Sequence, residues 1–539
     1  MHYLPSARRV AGFLLIGLLA GCSGGSGGDE ATQTEISTNA ISFSADGPAA
    51  ATPASQVFTA TFGKDIAHLA VVHSGDAVAS ATSELNGRTA QITVVPSTPS
   101  AIGPGKFTGA VAVTGYTCGD ATCSKLSAGS TSTVLVSFQI APAVQGVAPY
   151  VATAGVGDTV LIRGVGFKAF NVSGVRFGDT AATSITVNDA GTQLVATHPA
   201  LAAGSYPIHL DAADYQGEIP SPVSLLVQDA TAYSATTLSY PSPSTAIGNL
   251  VYDAERHALF TVTDSSPADL LVRYEYANGA WSAPTSVASG FVDTTLRADG
   301  TQIYGLTGTT VVPVDPVTLA SGTAVTAPSL ASGTTLKNIV GLNNNRALIT
   351  TSGTAQGYVY YPETATLQLD GVSLNNGTPA AAGNGSAAVV VQGDPSLTSD
   401  IPVYLFVTAT NAFSTTAGPS YRQNTVWPAA DRTLSRMVLN GIRVYDGNFN
   451  LLGTLPDTTT AVAIKPSGAR AYAYDPTAGG IVVYDISSGR DGAAYTALGS
   501  VVPLVGDPGS GVRMTITPDG GTLFIAGATQ IVVQPTPAQ

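Results

Sequence analysis

Ala461-Val462-Ala463-Ile464, then Pro466-Ser467-Gly468, then residues 471–474, then Ile481-Val482-Val483-Tyr484-Asp485 and Gly489: this stretch decides the fold. Short apolar runs separated by turn-forming residues predict consecutive antiparallel strands. The pattern starts again downstream as residues 514–517, Pro518-Asp519-Gly520 and Leu523-Phe524-Ile525. Working outward, comparable strand-and-turn segments carry Leu259, Ile303, Leu348, Val389, Leu434, Ala471 and Leu523, at a mean spacing of about 44 residues. A period in the forties is that of a four-stranded propeller blade, a unit that cannot bury its faces without neighbours. Residues 229–539 therefore read as a seven-bladed β-propeller. Its last blade ends with Ile531-Val532-Val533 and lacks an outer strand, which Thr236-Thr237-Leu238 is expected to supply, closing the ring.

Composition points the same way. Charged residues make up 11% of the 539, well under the usual quarter or so, while 59 Gly and 33 Pro supply turns. With 44% hydrophobic residues, several separate cores can be buried. A net charge of −13 disfavours nucleic acid, whose phosphates would be repelled. The expected fold class is all-β: two immunoglobulin-like β-sandwiches followed by a seven-bladed β-propeller.

At the N-terminus, Arg8 and Arg9 precede an uncharged apolar run over residues 10–20. The run falls short of the roughly 20 residues a membrane helix needs, but suits a signal-peptide core. It leads into Leu19-Ala20-Gly21-Cys22, which resembles the lipobox of bacterial lipoproteins. That resemblance implies removal of residues 1–21 as a signal peptide and acylation of Cys22, palmitate included. A lipidated Cys and Gly/Ser tether would then occupy residues 22–35. Ser23, rather than Asp, points to the outer membrane, facing periplasm or exterior. The expected partners are thus the membrane, through the N-terminal lipid, and an envelope protein or glycan.

Residues 36–142 alternate short strands with Gly, Pro, Asn and Ser turns, as in a β-sandwich. In an exported chain, Cys118 and Cys123 read as a disulfide across a loop between two strands, contributing about 2 kcal/mol by loop closure. The loop resembles that of bacterial immunoglobulin-like modules, with Asp120 two residues after Cys118. Residues 143–228 contain Asp158-Thr159-Val160-Leu161-Ile162-Arg163-Gly164-Val165-Gly166-Phe167, followed by Val175-Arg176-Phe177-Gly178 and Gly204-Ser205-Tyr206-Pro207. This segment resembles IPT/TIG domains, and Gly164 and Gly166 are expected to allow a sharp bend before a buried Phe167. Such domains are mostly spacers, so the resemblance implies no chemistry. The blades themselves resemble YVTN-type propellers, although the signature tetrapeptide is absent and blades three to five are degenerate.

Chemistry-bearing residues are sparse. The propeller segment holds one histidine, His257, expected to be exposed in a turn, and no cysteine, which disfavours a His/Cys metal site. No metal and no cofactor are expected. His68 and His73 lie at an odd spacing that sends strand side chains to opposite faces. Asp446-Gly447-Asn448-Phe449-Asn450 lacks the later glutamate of a calcium loop and reads as a tight turn. No catalytic residue is assigned, and the chain reads as a non-enzyme. Paired carboxylates in the channel would instead indicate a carbohydrate-active envelope enzyme, and an exposed aromatic patch would indicate binding; neither would leave a structural spacer. Aromatics concentrate in the propeller, with Trp281, Trp427 and 16 of the 21 tyrosines there. Most should pack between blades. Trp427, beside Pro428 and near Tyr421, is the residue expected to be exposed on a loop. Lys337 and Arg513 are expected near the starts of inner strands. Trp427, Tyr421, Trp281, Lys337 and Arg513 are accordingly the candidate ligand-binding residues.

Overall fold

The computed structural model describes residues 34–215, 219, 221–265, 267–328, 330–353, 355–374, 376–392, 400–416, 418–421 and 426–538. Cys22, the signal segment and most of the tether lie outside the described residues. The N-terminal sandwich has two four-stranded sheets. One is ordered Thr34–Ile36, Gln56–Phe62, Thr89–Pro96, Val78–Asn86, and the other Ala40–Ala45, Leu126–Ile140, Gly105–Cys118, His68–Ser74. Alternation sets the facing: Ile41, Phe43 and Ala45 are buried while the residues between them are exposed. The strand Val78–Asn86 was not legible as one, because most of it faces solvent and shows no apolar alternation. Cys118 and Cys123 form a disulfide, S–S 1.94 Å. Asp120 organises the loop between them, accepting from the Thr122 and Ser124 backbone N–H groups at 3.1 and 2.9 Å.

The second sandwich pairs Ser184–Val187, Gln193–His198, Asp158–Val165 and Ala143–Ala148 in one sheet. Its other sheet runs Val151–Thr153, Ser224–Gln228, Gly204–Ala212, Val172–Phe177, Thr180–Ala181. Val160, Ile162, Phe167, Phe177, Leu194 and Ile208 fill the space between the two. The predicted bend is present. Pairing shifts register between Arg163 and Gly164, Gly166 adopts φ +80°, and Phe167 is fully buried. A Cβ on Gly164 would lie 2.2 Å from the Ala143 carbonyl oxygen and 2.3 Å from the Phe167 ring, so only glycine fits there.

Among the described residues seven blade sheets follow, each antiparallel, with inner strands Ser244–Asp253, Asp293–Leu296, Leu336–Gly341, Thr378–Ala381, Ala429–Ala430, Ala461–Ile464 and Arg513–Ile516, and a two-stranded sheet of Ile401–Pro402 with Ser420–Tyr421 is added in blade four. Each inner strand adjoins the next, and the seventh adjoins the first, which closes a seven-bladed propeller around a channel. Blade six matches its sequence pattern, with Ala461–Ile464, Arg470–Asp475 and Gly480–Asp485 paired in order. The strand Thr236–Ser239 completes blade seven by pairing with Gln530–Pro535, Thr236 opposite Val533 and Leu238 opposite Ile531. Leu434, a strand marker in the sequence, instead sits in a turn at φ +61°, and the second strand of blade five is Met437–Leu439. Tyrosines pack between blades and hold their hydroxyls to carbonyls across the junction. Tyr274 donates to Ser239 O (2.7 Å), Tyr304 to Asn345 O (2.8 Å) and Tyr358 to Pro328 O (2.8 Å).

Candidate functional site

All seven inner strands run the same way along the channel, so its two ends differ in which strand ends they gather. The end where the inner strands finish is covered by the second sandwich. Tyr150 reaches the loops of blades one and two, where its hydroxyl donates to Glu255 Oε2 at 3.2 Å and Asp253 Oδ1 at 3.4 Å. Burial first, then the Asp253 and Glu255 carboxylates, push the Tyr150 hydroxyl far above its ordinary range, so it stays a proton donor. Arg256 bridges the same acids to blade two, donating to Asp253 Oδ2 at 2.7 Å and Gly300 O at 2.9 Å. Gly300, at φ +69°, lies so close that a Cβ would sit 1.9 Å from the Tyr150 hydroxyl oxygen. On the far side of the ring, Arg432 of blade five ion-pairs with Asp158 and donates to Pro518 O at 2.8 Å. Beneath Tyr150 a chamber of about 210 Å³ remains, walled by Leu296, Gly341 and Ala382 among others.

A cavity of about 330 Å³ runs along the channel, lined from Trp427, Val512 and Arg513, where inner strands start, to Leu296, Gly341 and Ala382, where they finish. Its walls are mostly small and apolar: Ala380, Ala461, Ala463, Val462 and Gly341 line it. Trp427 and Arg513 line it too, with the Arg513 guanidinium over the Trp427 ring at 4.0 Å from the centroid. Burial pushes the Arg513 guanidinium down to about 10, against the opposing pull of Asp293. Arg513 Nη1 donates to Gly511 O at 3.2 Å, while its Nε has no protein partner. Asp293 begins the inner strand of blade two and is fully buried. Its Oδ1 accepts from Asn249 N (2.6 Å) and its Oδ2 from Ile339 N (2.8 Å), so one carboxylate ties the inner strands of blades one, two and three. Burial pushes it up to about 6, although these N–H groups and Arg513 favour the charged form. Lys337, exposed at the start of the third inner strand, lies at this same end and donates to Asn376 Oδ1 at 3.1 Å.

Thus three of the five candidate residues, Trp427, Lys337 and Arg513, gather at one end of the channel. Tyr421 does not join them. It is 7% exposed, packed between blades four and five, with its hydroxyl donating to Tyr445 at 2.8 Å and Arg443 over its ring. Trp281 belongs to an aromatic cluster where blade seven meets blade one, stacked on Tyr233 at 5.2 Å and edge-on to Phe524. His257, expected to be exposed, is half-buried against that cluster, with Nδ1 3.0 Å from the Tyr233 hydroxyl. Burial lowers its pKa, favouring the neutral ring. Asp446 closes the tight turn as expected, accepting from Asn448 N and Asn450 N at 2.9 and 2.8 Å.

Residues 142–240 match the profile of the IPT/TIG domain. The second sandwich is a TIG domain. It is therefore the TIG domain that covers the end of the channel where the inner strands finish. No curated protein matches the chain in sequence. Among solved structures the chain is similar to Kuenenia stuttgartiensis hydrazine synthase, at 12% identity over 56% of this chain and 99% of that one, TM-score 0.43. It is also similar to the WD40 repeats of RRP9, at 10% identity over 57% and 99%, TM-score 0.41. A Bacteroides thetaiotaomicron protein of unknown function is similar at 13% identity over 73% and 98%, TM-score 0.34. The blade count stands on the strand pairing of this chain, and the site on its side chains.

Proposed function

We propose that this protein is a lipid-anchored envelope protein whose propeller recognises an envelope protein or glycan without covalent chemistry, through the channel mouth opposite the TIG domain. The observation that carries the reading is the pairing of Trp427 with a poorly solvated Arg513 at that mouth. A cation held over an aromatic face, with an unpartnered N–H beside it, offers stacking area and a donor that water solvates poorly. The signal-like segment and Leu19-Ala20-Gly21-Cys22 support anchoring through Cys22 at the outer membrane.

The test is to incubate the chain from Asp29 onward with a glycan array and with detergent-solubilised envelope proteins, beside its Trp427→Ala variant. Binding that the variant loses supports the reading, and the panel that responds assigns the ligand class. Absence of binding on both panels overturns direct recognition. Anchoring is tested separately by mass spectrometry of the protein from its cell: a diacylglycerol and an amide-linked acyl chain on Cys22 are expected, and an unmodified thiol contradicts the anchor.

A further inference from the structure

A cleft of about 910 Å³ separates the TIG domain from blades two to four. Three guanidiniums converge on it: Arg163 from the TIG domain, Arg297 from the turn of blade two and Arg346 from blade three. Arg346 is engaged. Its Nε donates to Glu363 Oε1 at 2.9 Å, and its guanidinium lies over the Tyr361 ring at 4.0 Å. Arg297 lies beside Asp299, Nε to Oδ2 3.1 Å. Arg163 has no carboxylate of its own. It donates through Nη1 to Gln145 Oε1 at 2.6 Å, and its Nε, removed from water, has no partner. Three positive charges thus face two negative ones, in a chain whose overall charge is −13.

The backbone explains why Arg163 points there. The register shift between Arg163 and Gly164, which the Phe167 bend requires, turns the strand at this residue, as bulges do where a side chain must be re-aimed. Burial, and then the positive charge of Arg346, lower the Arg163 pKa, a penalty that an added anion would relieve. The rest of the wall is amide and hydroxyl: Gln193, Asn344, Asn411, Thr408 and Thr410 line it. Such a wall matches the ring hydroxyls of a sugar better than an apolar ligand.

We propose that the cleft between the TIG domain and blades two to four binds a short acidic saccharide, with the carboxylate of a uronic acid seated on Arg163 and its hydroxyls on the amide wall. One uncompensated guanidinium matches one carboxylate, and the planar fork of arginine pairs with it bidentately. This site is separate from the channel mouth, and the proposal does not depend on what the mouth recognises.

Calorimetric titration of the chain from Asp29 onward with trigalacturonate, a neutral galactose trisaccharide and galactose 6-phosphate tests it. Trigalacturonate is expected to bind, more weakly as salt rises, and the neutral trisaccharide is not. Arg163→Gln should weaken trigalacturonate binding roughly tenfold to a hundredfold. Glu363→Gln should strengthen it by freeing Arg346, a gain that damage to the fold would not produce. Equal binding of the acidic and neutral trisaccharides, stronger binding of the phosphate, or an Arg163→Gln variant that binds like the parent and melts like it would each overturn the proposal. So would trigalacturonate failing to bind at millimolar concentration.

Discussion

Replacing Asp293 by Asn tests how the channel is held together. In the folded protein this carboxyl is fully buried and accepts one backbone N–H from blade one and one from blade three. An amide of the same shape accepts one of them and turns an N–H against the other, leaving a buried donor unpaired at a cost of about 1–3 kcal/mol. The effect depends on pH in a fixed direction. Burial raises the group from its ordinary 3.8 to about 6, so the folded state holds the proton more tightly than the unfolded state does. The stability that Asp293 contributes is therefore fully present below pH 3.8 and is lost as pH rises through about 6. That gap corresponds to about 3 kcal/mol. Asn has no proton to lose. The variant should be the less stable protein near pH 4, and the difference should shrink by about 3 kcal/mol, closing or reversing, above pH 7. Urea unfolding followed by tryptophan fluorescence measures this cleanly, because Trp281 and Trp427 both lie in the propeller. Parallel pH profiles for parent and variant would refute the claim that the buried carboxyl is the strut.

Tyr274→Phe removes the hydroxyl that donates to Ser239 O and should cost about 1 kcal/mol in the same unfolding assay. Replacing Cys118 and Cys123 by Ser together should destabilise the N-terminal sandwich by about 2 kcal/mol without changing the propeller transition seen by tryptophan. Arg432→Ala removes the ion pair to Asp158 and the bond to Pro518 O. Amide exchange at Gly383 and Asn384, whose N–H groups donate to Asp431 O and Arg432 O, should then accelerate in hydrogen-exchange mass spectrometry.

Blade six was legible because its β-branched runs and Gly turn act locally, and the ring closure because one strand was visibly missing from the last blade. Leu434 misled because a buried leucine in a turn gives the same apolar signal as one in a strand. Arg513 and Lys337 could be placed from sequence, since the start of an inner strand fixes which end of the channel a residue occupies, whereas Trp427, expected to be exposed on a loop, is half-buried because the Arg513 guanidinium covers its ring. Tyr421 and Trp281 could not, because their surroundings come from neighbouring blades far away in sequence. Asp293 gave no signal at all: its partners, Asn249 and Ile339, lie some forty residues away on either side. Arg163 did leave a trace, as a charge that follows the apolar run Val160-Leu161-Ile162 immediately before the glycine bend. Its meaning depended on Arg297 and Arg346, which no local pattern joins to it. Tyr150 likewise became readable only against Gly300 and Glu255.

The most direct measurement compares the parent chain with Trp427→Ala and Trp281→Ala for binding to detergent-solubilised envelope proteins and glycans immobilised on a sensor surface. Recognition through the open mouth predicts at least a roughly tenfold loss for Trp427→Ala and none for Trp281→Ala, whose ring packs in the cluster where the propeller closes. Undiminished binding by Trp427→Ala would contradict it.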